Sequence, residues 1–98
     1  MARETLAFGP FRLEARAHRL LRDGEPVPLS AHLVDLLAEF LAHPGDLLTK
    51  QALFDAVWPD VFVTDNTLAR AVADLRHALQ DDPKRPRFIQ TVARRGYR

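Results

Sequence analysis

The sequence predicts an α+β fold in which an N-terminal antiparallel sheet is followed by a three-helix bundle and a C-terminal β-hairpin. Three observations carry this. Residues 6 to 29 read as short strands, with apolar and polar side chains alternating from Phe11 to Glu14 and with Asp23-Gly24, a dipeptide suited to a two-residue hairpin turn. Three later segments repeat apolar residues at helical spacing, each behind a Ser, Thr or Asp able to cap it. The chain then closes on a β-prone run, Phe88, Ile89 and Val92, that leads into Arg94-Arg95-Gly96 and Tyr97.

Taken in order, Phe11 and Leu13 alternate with Arg12 and Glu14, and Arg19 to Arg22 enters the Asp23-Gly24 turn. Pro26 and Pro28 flank Val27, which confines that strand to a short or edge position, because proline cannot donate to a ladder. Ser30 caps a first helix with a buried stripe of Leu33, Leu36, Leu37, Phe40 and Leu41. His43-Pro44-Gly45 ends it. Thr49 caps a second helix of about two turns that carries Leu53, Phe54 and Val57 and closes at Trp58-Pro59. After the linker Asp60 to Val63, a third helix starts near Thr64 or Asp65 and runs to about Leu79 or Gln80. Asp81-Asp82-Pro83 is a polar turn before the terminal hairpin. No repeat or low-complexity tract divides the chain, so residues 1–98 read as one domain.

Ninety-eight residues, 47% hydrophobic and 28% charged, have the balance of a globular domain large enough to fold without staples. The absence of cysteine excludes disulfides and thiolate metal sites and fits a reducing compartment. His18, His32, His43 and His77 lack the close spacing of a metal pair, so neither a metal nor another cofactor is expected. Met1 to Glu4 opens without the apolar run of a signal peptide, and charge interrupts every apolar stretch, so a cytoplasmic location is expected. An enzyme is excluded on inventory. The single serine, Ser30, is better used as a helix cap, Ser30 and His32 have no orienting acid, and no glycine-rich phosphate loop is present. A small-molecule substrate is therefore not expected.

The net charge of +1 says little, but its distribution says more. From Lys84 onward the chain carries Lys84, Arg85, Arg87, Arg94, Arg95 and Arg98 and no acid, an electrostatic footprint for a polyanion. A solvated terminus gives the same pattern. At roughly 100° per residue, Leu68, Val72, Leu75 and Leu79 of the third helix fall on one line and point inward. The opposite side carries Asn66, Arg70, Ala73, Asp74 and His77, with Arg76 and Gln80 on its flanks, and no large apolar residue interrupts it. Exposed helix faces are polar as a rule, so this face alone decides nothing. Preceded by a shorter helix and followed by a basic hairpin, however, it fits an arrangement that grips adjacent grooves of DNA. Arg94 and Arg95, beside Gly96 at the hairpin tip, can reach a minor groove, and Thr91 can donate to a phosphate.

These residues fall into a known order. Phe8-Gly9-Pro10-Phe11-Arg12-Leu13, His43-Pro44-Gly45, Leu53 with Val57-Trp58-Pro59, Leu75-Arg76-His77-Ala78-Leu79 with Asp81-Asp82-Pro83, and Ile89-Gln90-Thr91-Val92 leading to Arg95-Gly96-Tyr97-Arg98 span almost the whole chain. In this order the sequence resembles the winged helix-turn-helix effector domains of OmpR/PhoB-type regulators, and among them the N-terminal domains of CadC/ToxR-like transcriptional regulators. The resemblance implies a four-stranded N-terminal sheet, three helices and a hairpin wing, with the third helix in the major groove of double-stranded DNA. It places Arg70, Asp74 and Arg76 at recognition-helix contact positions, Asn66 and Thr67 at phosphate-contacting positions, and Thr91 with Arg94 or Arg95 on the wing. Pro59, Asp60, Val61, Phe62 and Val63 match a loop that touches RNA polymerase in some members. Members bind as dimers on tandem or repeated half-sites, so a second copy is an expected partner.

Two departures accompany the resemblance. Ala71, Ala73 and Asp74 stand where several members carry basic or polar contacts, and Asp74 repels phosphate unless it accepts from a cytosine amine or pairs with Arg70. The implied last strand also runs past Arg98. The expectation is thus a sequence truncated in that strand, with no receiver domain ahead of Met1 if Met1 is native, and with a sensor or repeat region after Arg98, either directly or behind a membrane-anchoring segment. Two other binding readings stay open. A protein-binding module of the same fold would need an exposed apolar patch on the third helix, and an RNA-binding one would need stacking aromatics where only Tyr97 and Phe88 stand.

Overall fold

The computed structural model describes residues 5–14, 17, 19–82, 84–85, 87–92 and 95–98. In chain order these form β1 (Thr5–Phe8), β2 (Phe11–Glu14), β3 (Arg19–Arg22), β4 (Glu25–Val27), α1 (Ala31–Ala42), β5 (Leu48–Thr49), α2 (Lys50–Val57), α3 (Asp65–Leu79), β6 (Thr91–Val92) and β7 (Gly96–Tyr97). The first four strands make an antiparallel meander in the order β1-β2-β3-β4. Its turn chemistry is local. Asp23 and Gly24 both take positive φ, 51° and 85°, the backbone of a two-residue turn whose twist matches the strands it joins. The proline-flanked β4 lies at the edge, where no missing N–H is felt. Leu13 and Leu20 pair across β2 and β3 and are fully buried, while Arg12, Arg19 and Arg22 face water.

Each helix starts on a hydroxyl. Ser30 Oγ accepts from Leu33 N–H at 3.3 Å, Thr49 Oγ1 from Ala52 N–H at 3.1 Å, and Thr64 Oγ1 from Thr67 N–H at 3.3 Å. Each bond satisfies one of the donors a helix start leaves over. On α1 the buried residues are Val34, Leu36, Leu37 and Phe40, and the expected Leu33 and Leu41 are half-buried on the margins. The stripe is broader than periodicity suggested because α1 packs on both α2 and α3. Leu68, Val72, Leu75 and Leu79 of α3 are all buried, joined by Ala71. Among the described residues no helix is long and apolar enough to cross a membrane.

One element was not expected. Leu48–Thr49, ahead of α2, is a strand that pairs with β7, so the hairpin β6-β7 is the flank of a three-stranded sheet of order β5-β7-β6. Gly96 makes this pairing possible: a Cβ there would lie 2.0 Å from the Leu48 carbonyl oxygen, an approach only glycine allows. Gln90 and Arg98 extend the hairpin with reciprocal backbone bonds of 2.8 and 2.9 Å.

The end of α3 is bound to the base of this hairpin. Gln80 adopts the left-handed conformation, and Asp81 N–H donates to the Arg76 carbonyl at 2.8 Å, closing the helix. That turn drives the Asp81 side chain inward, where it is 5% exposed. Its carboxylate accepts from the backbone N–H groups of Arg87 at 2.7 Å, Phe88 at 3.3 Å and Ile89 at 2.9 Å. Phe88 meets Phe8 and Phe11 edge-on, with centroids 5.5 and 5.8 Å away, so the same segment is also packed on the N-terminal sheet. Asp81→Ala is expected to lower the unfolding free energy by about 2–4 kcal/mol, since it strands several amides at once, and Asp81→Asn to lose less because one acceptor oxygen remains. Urea denaturation measures the loss, and amide exchange at Arg87 to Ile89 should rise with it.

Candidate nucleic-acid interface

The outer face of α3 is open along its length. Asn66, Thr67, Arg70, Ala73, Asp74 and His77 are all exposed. The buried Leu68, Val72, Leu75 and Leu79 hold the opposite side to the core, which fixes which way this face looks. At its start Thr64 bonds Thr67 N–H, and Thr64 Oγ1 and Thr67 Oγ1 lie 3.3 Å apart. The first turn therefore offers hydroxyl and backbone donors together with the exposed Asn66 amide. Thr67, Arg70, Ala71 and Asp74 join Ser30, His32, Leu33 and the Trp58 indole around a shallow cleft of about 300 Å³. The His32 and Trp58 rings meet there in a tilted arrangement, 5.7 Å between centroids with 40° between planes.

Arg76 sits differently from its neighbours. It is half-buried, and its Nη2 donates to the Ile89 carbonyl at 3.0 Å and to Thr91 Oγ1 at 2.8 Å, while its Nε is buried without a partner among the described residues. Periodicity placed Arg76 on the flank of the outer face; the tertiary contact turns it toward the hairpin instead. Thr91 is on β6 and exposed, and although its oxygen accepts from Arg76 its own proton stays free to be donated. Two of the expected contact residues are thus first of all partners of each other, one on the helix and one on the wing.

On the wing, Arg95 is exposed and its N–H donates to the Val92 carbonyl at 3.0 Å. Arg94 lies outside the described residues, as does His18. Lys84, Arg85, Arg87 and Arg98 are exposed too, with the Arg87 guanidinium 5.2 Å over the Phe88 ring. Lys50, which sequence reasoning missed, brings a further cation beside the start of α3 through its 3.1 Å ion pair with Asp65. Its only sequence signal was adjacency to the cap Thr49. Pro59 to Val63 form a tight connection between α2 and α3, with Asp60 at φ 65° and Val61 N–H on the Trp58 carbonyl. Val63 packs on the core, but Val61 is 59% and Phe62 94% exposed. Phe62 is a large apolar side chain left in water, at a cleft it lines with Gln51, Phe54 and Asp55 of α2. Among the described residues no group of His, Asp and Glu could hold a metal ion.

The arrangement is shared with known proteins. A family model described as "Transcriptional regulatory protein, C terminal" matches residues 24–98. The chain is 31% identical over 99 residues to the transcriptional activator CadC of Escherichia coli, covering 100% of this chain and 19% of that protein. The described fold superposes on the DNA-binding domain of Klebsiella pneumoniae RstA in complex with RstA box, with a TM-score of 0.85, 29% identity and coverage of 97% of this chain and 95% of that one. It superposes equally on the DNA-binding domain of E. coli CadC, with a TM-score of 0.84, 30% identity and coverage of 98% and 91%. These neighbours share the sheet, the three helices and the winged hairpin.

The contact between helix and wing can be checked directly. In a double-mutant cycle of Arg76→Met and Thr91→Val, followed by urea denaturation, a coupling of about 0.5–1.5 kcal/mol is expected. Simple additivity of the two losses would mean that the pair is not formed in solution.

Proposed function

Because the chain belongs to the family of transcriptional regulatory protein C-terminal domains, we propose that it binds double-stranded DNA in a sequence-specific manner to regulate transcription. In this reading α3 enters the major groove and the wing lies along the adjacent minor groove. The observation that carries it is the outer face of α3, exposed from Asn66 to His77, rich in hydrogen-bonding groups and free of large apolar side chains. A module that bound only protein through this helix would need an apolar patch where none is seen among the described residues. The RstA DNA-binding domain, whose structure is in complex with RstA box, supports DNA binding by this fold. The chain spans 19% of CadC and 40% of the Bacillus subtilis regulator YvrH, and the proposal concerns DNA binding alone.

Asn66, Thr67 and Thr91 contact phosphate in this proposal, Arg70 and Asp74 read bases, His77 and Ala73 line the groove, and Arg95 with Arg94 follows the minor groove. Arg76 serves mainly by holding the wing. The domain acts in the cytoplasm, catalyses nothing and needs no cofactor. A second copy on a tandem half-site raises its effective affinity. The exposed Val61 and Phe62 favour a protein contact by the loop Pro59 to Val63, for which RNA polymerase is the partner proposed.

Arg70→Ala is expected to weaken binding to the preferred site by roughly 1–3 kcal/mol and to flatten base preference. Arg95→Ala should weaken binding to all duplexes and reduce the slope of log K against log salt by about one. Titrations of an in-vitro-selected site at several salt concentrations measure both; a wild-type domain that enriches no motif and shows no salt slope would sink the proposal. Phe62→Ser should leave those titrations unchanged and lower transcription in a reconstituted system with RNA polymerase. Equal transcription by the variant would remove the loop from the mechanism.

A further inference from the structure

We infer that the half-site contains a cytosine read by Asp74 within two base steps of a guanine read by Arg70, an assignment that rests on the DNA-binding reading and adds its sequence content. A carboxylate is an unfavourable group to carry into a groove walled by phosphates, so its presence in the middle of the open face needs a compensating donor. Among the described residues Asp74 shares a cleft with Ser30, His32 and Arg70 but has no hydrogen bond or ion pair to any of them. Among the described residues the ion pairs are Arg19 with Glu14, His43 with Glu39 and Lys50 with Asp65, and no side-chain hydrogen bond reaches either Arg70 or Asp74. Arg76, two positions on, lies on the other side of the helix from Asp74 and is engaged with Ile89 and Thr91. The exposed residues around Asp74 on the helix are Arg70 four positions before, Ala73, and His77 three positions after.

The donor must then come from a base edge, and the major groove offers few. Guanine shows two acceptors there, thymine an acceptor and a methyl group, and adenine a donor beside the N7 acceptor. Cytosine presents a donor, its N4 amine, with an acceptor on one side only, the O6 of the paired guanine. On adenine a carboxylate would meet acceptors on both sides, N7 and the paired thymine O4; on cytosine the outer side is open. Arg70 faces the converse problem and is solved by the paired acceptors of guanine. Four residues, just over one helical turn, separate the two side chains, about 6 Å of rise against about 3.4 Å per base pair, which brings their targets within two steps of each other. The two opposite charges also keep the face nearly neutral, so each acts by the shape of its hydrogen bonds rather than by attracting the duplex.

The test is in vitro selection of duplex sites by the 98-residue chain and by its Asp74→Ala and Asp74→Asn variants, followed by titrations on the wild-type site and on a site with the assigned cytosine changed to thymine. The wild type should enrich a guanine and a nearby cytosine. Asp74→Ala should lose the cytosine column and keep the guanine column, and Asp74→Asn should move that column toward adenine, the base an amide reads. The change to thymine should cost the wild type roughly tenfold in affinity and the alanine variant less than about twofold. An enriched wild-type motif with no cytosine dependent on Asp74, or equal penalties in both proteins, overturns the assignment while leaving DNA binding intact. No enriched motif for any of the three proteins overturns the DNA-binding reading and this inference with it. Asp74 is exposed, so circular dichroism and unfolding curves of the variants should match the wild type.

Discussion

Asp81 accepts three backbone N–H groups from Arg87, Phe88 and Ile89 while its own N–H closes α3 on the Arg76 carbonyl, so the chain leaving the helix and the chain entering the hairpin are bound at a single residue. A carboxylate is the side chain that can satisfy several amides converging from one side, and once buried it must do so, because each stranded partner would carry its own desolvation cost. Arg76 completes the joint from the helix side by donating to the Ile89 carbonyl, the residue whose N–H Asp81 holds. Ile89 is thus gripped at both of its backbone polar groups and is 1% exposed. The position of the wing relative to α3 follows from this joint, and Gly96 then lets β7 close on β5.

What could be read from the sequence was what is encoded locally. Ser30 and Thr49 announced the first two helix starts and Thr64 or Asp65 the third, where Thr64 is the cap, and the spacing of Leu68, Val72, Leu75 and Leu79 gave the orientation of α3, because a cap and a periodic stripe need only neighbours a few residues away. Asp23-Gly24 likewise carried its own turn. The strand β5 left no such trace: two residues cannot show alternation, and its partner, Gly96–Tyr97, comes from the far end of the chain. Asp81 read as part of a polar turn because its burial depends on amides brought to it by the fold. Arg76 read as a flank of the outer face for the same reason; helical spacing gives an angle about the axis, not the partner a long side chain will find. The face itself, Asn66 to His77, was legible, whereas the charge left on it was not, since that depended on where Arg76 points.

With Arg76 engaged and Asp65 paired to Lys50, the outer face of α3 carries Arg70 against Asp74, with His77 at its far end. Such a face gains little from displacing counterions, the term that supplies most sequence-independent affinity. In the binding mode proposed above, the exposed Lys84, Arg85, Arg87, Arg95 and Arg98, with no acid from Lys84 onward, would supply that term instead. In the proposed complex, affinity and selectivity therefore come from different parts of the domain, and a loosely connected wing would let the domain keep its affinity on any sequence. The joint at Asp81 and Arg76 prevents this. Because the wing cannot shift independently, a duplex on which Arg70 and Asp74 find the wrong base edges also holds the wing arginines out of register with the backbone, and a mismatch at two base pairs is felt by the phosphate contacts as well. Rigid coupling thus lets a helix with few cations impose its preference on the affinity of the whole domain.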